Sequence, residues 1–259
     1  MLLAIDVGNT QTVLGVYEED SLVHMWRLAT NVDYTSDELR IKIHALLQAE
    51  GLSEADIHGA ILASVVPALT HNWEKVCFRS FGVEVLVVST CTCGSMINIQ
   101  PGGLFAELGA DRVADAIAAK ALYGSPIVVV DFGTATNMEV IDAEGTFRGG
   151  IIAPGVESSM RSLFSRAALL PAVELENPGV AIGRNTTEAI QIGVACGEAA
   201  RVDGLIERIW EQLGYETKVV ATGGLGHRIA PMSKRISDVN TELTLQGLRL
   251  IYEAQNKAE

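Results

Sequence analysis

One short pattern occurs twice in this chain of 259 residues. In both copies an apolar run ends at an aspartate, a glycine follows two residues later, and a second apolar run begins after the turn. The aspartates are Asp6 and Asp131. Short apolar runs bounded by turn residues predict buried strands, so each copy predicts a strand–turn–strand unit. Because this unit is repeated, we expect a duplicated chain with two related halves, 1–119 and 120–259.

Composition and charge argue against several classes of protein. Hydrophobic residues make up 48% of the chain and charged residues 20%, which suits a folded protein with a sizeable core. The net charge of −13 argues against a nucleic-acid partner, because phosphate backbones are bound by basic surfaces. No apolar run reaches the roughly 18 residues of a membrane helix, and the N-terminus has no basic start. We therefore expect no membrane partner and a cytoplasmic location.

Apolar periodicity predicts further elements, the longest of which is a helix that begins at Asn185. Glu188, three residues later, fits the partner position of a capping box with Asn185 as the N-cap. The helix carries a stripe of small residues, formed by Gly193, Gly197, Ala200 and Gly204. Glycine inside a helix costs up to about 1 kcal/mol, so we expect a close neighbour on this face, within the subunit or from a second subunit. Other predicted strands cover 57–65, 83–88 and 217–221, and other predicted helices cover 37–50, 70–80 and 111–122.

The repeated turns are suited to phosphate. The chain has no Gly-Lys pair for a P-loop, no dinucleotide fingerprint, and no zinc-hydrolase or serine-hydrolase motif. Glycine lets backbone N–H groups approach phosphate oxygens, and the Asp6 carboxylate can hold Mg²⁺ directly or through water. Two such turns that face each other would clamp a polyphosphate. After a third strand, Gly223 and Gly224 offer a flat surface for a nucleotide base or ribose.

A second motif, Gly-Ala-Asp-Arg at 109–112, lies where a predicted helix begins. Asp111 falls in the first turn, where the helix dipole and the neighbouring Arg112 favour its charged form. An ionised carboxylate can accept the proton of an attacking hydroxyl, even as a weak base, if the transition state is loose. The alternative is that Asp111 only caps the helix, and spacing leaves both interpretations open.

These motifs, read in order over almost the whole chain, resemble the type III pantothenate kinases of bacteria. Each motif is weak alone, and the ordered set is specific. The matching stretches are Asp-Val-Gly-Asn-Thr at 6–10, Gly-Ala-Asp-Arg at 109–112, Asp-Phe-Gly-Thr-Ala at 131–135, Gly-Gly-Ile-Ile-Ala-Pro-Gly at 149–155, Gly-Arg-Asn-Thr at 183–186, Val-Asp-Gly-Leu-Ile at 202–206, Ala-Thr-Gly-Gly-Leu at 221–225 and Leu-Thr-Leu-Gln-Gly-Leu at 243–248.

The resemblance implies an α/β fold of two related actin-like (ribonuclease H-like) halves, with mixed sheets flanked by helices. It implies ATP-dependent phosphorylation of pantothenate to 4′-phosphopantothenate, the first step of coenzyme A biosynthesis. It also implies a homodimer, with the substrate pocket near the subunit interface, and a requirement for K⁺ or NH₄⁺ besides ATP and Mg²⁺.

The resemblance assigns roles to individual residues. Asp111 corresponds to the catalytic base, and Asp131 to the ligand of the monovalent cation. ATP-binding positions fall on Asp6, Val7, Gly8, Asn9, Thr10, Gln11, Thr12 and Val13, with a further ATP contact at Thr134. Substrate-binding positions fall on Gly109, Ala110, Asp111, Arg112 and Thr186.

Three stretches depart from the family pattern. The segment 102–105 reads Gly-Gly-Leu-Phe where the family has Tyr-x-Asn-Pro, and 137–139 reads Asn-Met-Glu where Thr-Phe-Asp is usual. Gln11 stands where Asn is frequent. The first departure alters the acceptor side. Two alternatives follow: a nucleotide-binding regulatory homologue with weak or no kinase activity, and a kinase of the same fold for another small hydroxyl substrate.

Overall fold

The computed structural model describes residues 1–93, 96–99, 108–166, 170–171 and 173–257. The chain divides into two compact units. The first unit contains the described residues of 1–98, 104–118 and 243–259, and the second contains those of 99–103 and 119–242. None of the helices in the described ranges is both long enough and apolar enough to cross a membrane.

The chain contains both strands and helices, in the following order. Up to the end of the fourth helix they are β1 (Leu2–Val7), β2 (Gln11–Glu18), β3 (Ser21–Ala29), α1 (Ser36–Ala49), a 3₁₀ turn (Glu54–Asp56), β4 (Gly59–Ser64), α2 (Pro67–Phe81), β5 (Val85–Val87), α3 (Thr90–Cys93), β6 (Asn98–Ile99) and α4 (Ala110–Tyr123). After it come β7 (Ile127–Phe132), β8 (Ala135–Ile141), β9 (Thr146–Pro154), α5 (Val156–Arg166), α6 (Thr186–Gln191), a π-helical segment (Ile192–Cys196), α7 (Gly197–Leu213), β10 (Lys218–Thr222), α8 (Gly226–Ile229), a 3₁₀ turn (Ala230–Met232), β11 (Asp238–Val239) and α9 (Leu243–Asn256).

The two sheets repeat one topology. The first has the order β3-β2-β1-β4-β5, and the second has the order β11-β10-β7-β8-β9-β6. β1 pairs antiparallel with β2 and parallel with β4, and β7 pairs in the same two ways with β8 and β10. Both sheets are therefore mixed and are built from the same unit, which confirms the predicted α/β fold of two related halves.

The aspartates of the repeated turns point away from the main hydrophobic cores. Leu3, Ile5 and Val7 of β1 lie in a core that also contains side chains of α1 and α2. Side chains alternate between the faces of a strand, so Asp6 faces the other side of the sheet. In β7, Val130 and Phe132 belong to the second core, and Asp131 between them faces away from it. Each carboxylate is therefore only half-buried, at the end of a buried strand.

Helix α9 does not lie in the half of the chain to which it was predicted to belong. The prediction assigned all of 120–259 to the second half, but α9 packs on β1, β2 and β4 of the first unit. Gly15 of β2 makes room for it, since a β-carbon added there would lie 2.8 Å from the Leu245 side chain. In the sequence, 243–248 stands out only as a family motif and no helix is predicted there, and the sheet that α9 covers depends on contacts between distant segments. The boundary between the units falls inside α4, and the duplication boundary at 119/120 remains our proposal.

Several other elements were not predicted in their observed form, among them β3 and the interrupted long helix. β3 has a regular alternation of exposed and half-buried residues, and no sequence prediction covered it. The long helix from Asn185 is interrupted by the π-helical segment between α6 and α7. Its predicted cap is confirmed, because the Asn185 side chain accepts a hydrogen bond from the Glu188 N–H at 2.9 Å.

Candidate functional site

The first turn closes the hairpin between β1 and β2. The Gly8 N–H donates to the Gln11 carbonyl at 3.0 Å, and the residues between them are exposed. Thr12 is among the ATP-binding positions that the family resemblance assigns. It is buried, and its hydroxyl forms a hydrogen bond with the Thr30 hydroxyl at 2.9 Å. The exposed turn 9–11 therefore offers groups to a ligand, whereas the Thr12 side chain joins β2 to the residue after β3.

The second turn, in the second unit, is also closed by a glycine N–H but is one residue shorter. The Gly133 N–H donates to the Ala135 carbonyl at 3.0 Å, which leaves Thr134 exposed. The start of α5 supports this turn, because the Ser158 hydroxyl donates to the Thr134 carbonyl at 3.0 Å. A β-carbon on Gly155 would lie 2.5 Å from the same oxygen. Sequence reasoning missed these supports; the only signal for them is the Pro-Gly pair between a strand and a helix.

The carboxylate of Asp131 rests directly on a glycine of the neighbouring strand end. Gly223 has a φ of 82°, and a β-carbon there would overlap Asp131 Oδ1. The same β-carbon would lie 2.7 Å from the Phe132 carbonyl carbon. The sequence suggested Gly223 and Gly224 as a surface for a base or ribose. Gly223 instead accommodates the Asp131 carboxylate, and only Gly224 has open space at its β-position.

Asp111 lies half-buried in the first turn of α4. Its Oδ1 accepts a hydrogen bond from the Arg112 N–H at 2.8 Å. The side chain folds back over Gly109, where a β-carbon would overlap the same Oδ1 atom. The absence of a β-carbon at Gly109 leaves the space that this carboxylate oxygen occupies at the N-terminal end of the helix.

Burial dominates the acidity of Asp111. Desolvation raises the pKa of its carboxyl, against the opposing effects of the Arg112 N–H and the Arg112 charge. The helix dipole and Arg112 favour the charged form, and these two effects alone predict a weak base. A carboxylate with a raised pKa is a stronger proton acceptor than an ordinary aspartate.

Within the first unit, Asp111 and the first turn lie at the same edge of the sheet. β1 and β4 are parallel, and the Val65 N–H after β4 donates to the Val7 carbonyl at the end of β1. The Val65 side chain also approaches Gly109, since a β-carbon there would lie 3.4 Å from Val65 Cγ1. In open α/β sheets, ligands bind outside the carboxyl ends of parallel strands. The structure thus brings two separated motifs to one edge of the sheet.

Thr186 lines a cavity of about 720 Å³ in the second unit. The Arg184 N–H donates to the Glu188 carboxylate at 2.7 Å, so the residues before α6 wrap around its first turn. The cavity wall combines polar residues with apolar ones; it includes Ser159, Leu163, Arg184, Asn185, Thr186, Ile190 and Val194. Thr186 is therefore accessible to a ligand in this unit.

The predicted cation positions carry single carboxylates. Among the described residues, no group of three or more His, Cys, Asp or Glu side chains could hold a metal. The predicted clamping of one polyphosphate by both turns stays a prediction.

The two mixed sheets, each with an aspartate–glycine turn, define a fold of two related actin-like halves. The fold is shared with component A of the (R)-2-hydroxyglutaryl-CoA dehydratase from Acidaminococcus fermentans, with a TM-score of 0.57 and 14% identity over 100% of this chain and 99% of that one. It is also shared with the inorganic polyphosphate/ATP-glucomannokinase from Arthrobacter sp. strain KM, with a TM-score of 0.52 and 15% identity over 98% of each chain.

Sequence comparison identifies the family. The profile of the type III pantothenate kinases matches residues 2–208. The type III pantothenate kinase of Halalkalibacterium halodurans is 42% identical over 253 residues, which cover 98% of this chain and 99% of that protein. The chain belongs to the type III pantothenate kinase family, as the ordered motifs predicted.

The contact between Gly223 and Asp131 can be tested with two matched glycine-to-alanine variants. We expect Gly223→Ala to lower the free energy of unfolding by about 1–3 kcal/mol, because its β-carbon meets a carboxylate and a backbone carbonyl at a left-handed φ. Gly224→Ala should stay within about 0.5 kcal/mol of the parent chain, because its β-position is open. Urea unfolding of both variants measures the difference, and equal stability would contradict the packing described above.

Proposed function

We propose that this chain transfers the γ-phosphoryl group of ATP to the primary hydroxyl of pantothenate, forming 4′-phosphopantothenate in the first step of coenzyme A biosynthesis. Similarity over nearly the whole length of type III pantothenate kinases supports the reaction. The observation that carries it within the chain is the half-buried Asp111, whose pKa is raised, at the sheet edge that also holds the first phosphate turn.

In this proposal Asp111 is the general base. The pantothenate hydroxyl oxygen attacks the γ-phosphorus, the bond to the bridging oxygen of ADP breaks, and the hydroxyl proton passes to the Asp111 carboxylate. Phosphoryl transfer has a loose transition state, so positioning of the hydroxyl matters more than the strength of the base. Folding of the Asp111 side chain over Gly109 restricts where its oxygens can lie, which serves this positioning.

The turns and their carboxylates bind the nucleotide and its cations. The exposed turn at 9–11 presents polar groups to the ATP phosphates, with Mg²⁺ bound near Asp6 through water, and Thr134 contacts ATP in the second turn. Asp131 holds K⁺ or NH₄⁺. The lack of a β-carbon at Gly223 leaves room for the Asp131 carboxylate. A carboxylate packed in this way is suited to act as an oxygen ligand of the cation. When bound, these cations neutralise charge on the transferring phosphoryl group.

The acceptor side involves Gly109–Arg112 and Thr186. The departure at 102–105, which bears most on this side, lies outside the described residues. The departure at 137–139 is internal to the second sheet: Glu139 is fully buried in β8, and Asn137 is paired with Asp131 of β7. It therefore concerns the surroundings of the cation ligand. The regulatory homologue and the kinase for another hydroxyl remain alternatives, which an assay with a panel of acceptors separates from the main proposal.

A homodimer belongs to the same proposal, together with the expected cytoplasmic location. The stripe of Gly193, Gly197, Ala200 and Gly204 is exposed along the long helix. Among the described residues, a β-carbon on Gly193 or Gly204 would meet no atom within 4 Å. This open face supports the proposal that a second subunit packs against these glycines.

The role of Asp111 is tested by Asp111→Asn. We expect kcat to fall by about 10²–10⁴-fold, because the amide cannot accept the proton, while ATP binding stays unchanged. Formation of 4′-phosphopantothenate is measured by mass spectrometry with ATP, Mg²⁺ and K⁺. Asp37→Asn, in the first turn of α1 and exposed, is the matched control and should retain full activity. An active Asp111→Asn variant would remove the base assignment.

The raised pKa of Asp111 also predicts a pH dependence. The base must be ionised to act, so kcat/KM should fall as pH decreases through the pKa of Asp111, at a pH above the ordinary value of 3.8. This acid limb should be absent from the residual rate of Asp111→Asn. A fall of kcat/KM at or below pH 3.8, or a fall that persists in Asp111→Asn, would contradict the assignment of Asp111 as the base.

The dimer is tested by Gly204→Gln. A β-carbon fits at this position and glutamine is a better helix former, so the subunit itself should be stabilised by up to about 1 kcal/mol. We expect the variant to elute as a monomer, measured by size-exclusion chromatography with light scattering, whereas Ala45→Gln on the exposed face of α1 should elute like the parent chain. A dimeric Gly204→Gln protein would exclude this face as the subunit contact.

A further inference from the structure

A partly buried hydrogen bond joins the C-terminal helix to the helix that carries Asp111. Asp115, which is 1% exposed, lies one turn after Asp111 on α4. Its Oδ1 accepts a hydrogen bond from the Thr244 hydroxyl at 2.7 Å. Thr244 is the second residue of α9, and all three residues belong to the first unit.

The two helices also touch through their backbones beside this hydrogen bond. A β-carbon on Gly247 would overlap the Ala114 carbonyl oxygen and lie 2.6 Å from its carbon. Residues 114 and 115 of α4 are thus both held by the first two turns of α9. One contact is steric and the other is a directional hydrogen bond, and together they limit both sliding and rotation of α4 against α9.

Helix α9 is in turn fixed to the sheet that carries the first phosphate turn. Leu245 packs against Gly15 of β2, and near the other end of the helix the Tyr252 hydroxyl occupies the space above Gly59 of β4. α9 also packs on β1, which ends at the Asp6 turn. It therefore provides a rigid connection between this strand pair and the first turns of α4.

We propose that α9 sets the position of the base, with Thr244, Asp115 and Gly247 as positioning residues for Asp111. This inference rests on the proposed function. None of the three residues contacts the reacting atoms in our account; they fix the N-terminal turns of α4 against the sheet edge. A displacement of about 1 Å at a reacting group costs about 10²-fold in rate, so small movements of α4 matter for catalysis.

The test is a comparison of Thr244→Val with Thr244→Ser. Valine has nearly the shape of threonine but cannot donate a hydrogen bond, so we expect kcat to fall about 10- to 100-fold and the KM for ATP to be unchanged. Serine keeps the hydroxyl and should restore kcat to within about threefold. Should the valine variant not fold, Thr244→Ala removes the same donor and carries the same test.

A matched control separates positioning from general loss of stability. Ile251 is fully buried on the same helix, one to two turns beyond the contact with α4, and Ile251→Val removes one methyl group. It should lower the melting temperature while kcat stays near that of the parent chain. If Thr244→Val lowers kcat no more than Ile251→Val at the same temperature, the positioning role is overturned.

A double-mutant cycle distinguishes failure of this inference from failure of the proposed function. If Thr244 acts through Asp111, Thr244→Val should add little to the loss already caused by Asp111→Asn. Independent losses in the two variants would overturn the positioning role and leave the base assignment standing. Full activity of Asp111→Asn would overturn both, because no base would then remain at Asp111 to be positioned.

Discussion

Parallel pairing of a central strand with its neighbour is the constraint on which the candidate site depends. In each sheet the strand that ends in Asp6 or Asp131 runs parallel to the next strand, β4 or β10. Parallel strands finish at the same edge, so turns that are distant in sequence collect there. In the first unit, Gly109 packs against Val65 at that edge and so places Asp111 there. In the second unit, Gly223 lies at that edge against the Asp131 carboxylate. The missing β-carbons of the two glycines are as necessary as the carboxylates, because each lets a charged side chain occupy its space.

The same packing decides the chemistry of Asp111. A carboxylate in the first turn of a helix beside an arginine is stabilised in its charged form, and by that argument alone it would be a poor proton acceptor. Removal from water acts in the opposite direction and dominates, so the pKa is raised. Membership of the type III pantothenate kinase family and a base at this position are thus consistent with one another.

The C-terminal helix shows how distant parts of the chain cooperate in one unit. α9 comes after the whole second unit, yet it lies on the sheet of the first and meets α4 through Gly247 and Thr244. Its motif, Leu-Thr-Leu-Gln-Gly-Leu, was part of the family resemblance, but no chemistry could be given to it from the sequence. In the structure, Gly247 allows the close approach of α9 to the Ala114 backbone, and Thr244 donates a hydrogen bond to Asp115.

Much of this protein could be predicted because its signals are local. The apolar runs before Asp6 and Asp131, the helical spacing of α1, α2 and α4, and the cap at Asn185 depend on neighbours in sequence, and the ordered motifs were enough to predict the family. Other features depend on residues that only folding brings together. The burial of Thr12 against Thr30, the space that Gly223 leaves for Asp131, and the placement of α9 on the first sheet could not be predicted, because each is a contact between distant segments. The sequence determined which strands, turns and acids exist; only the tertiary structure decided which of them meet, because desolvation and steric contact arise only when the chain is packed.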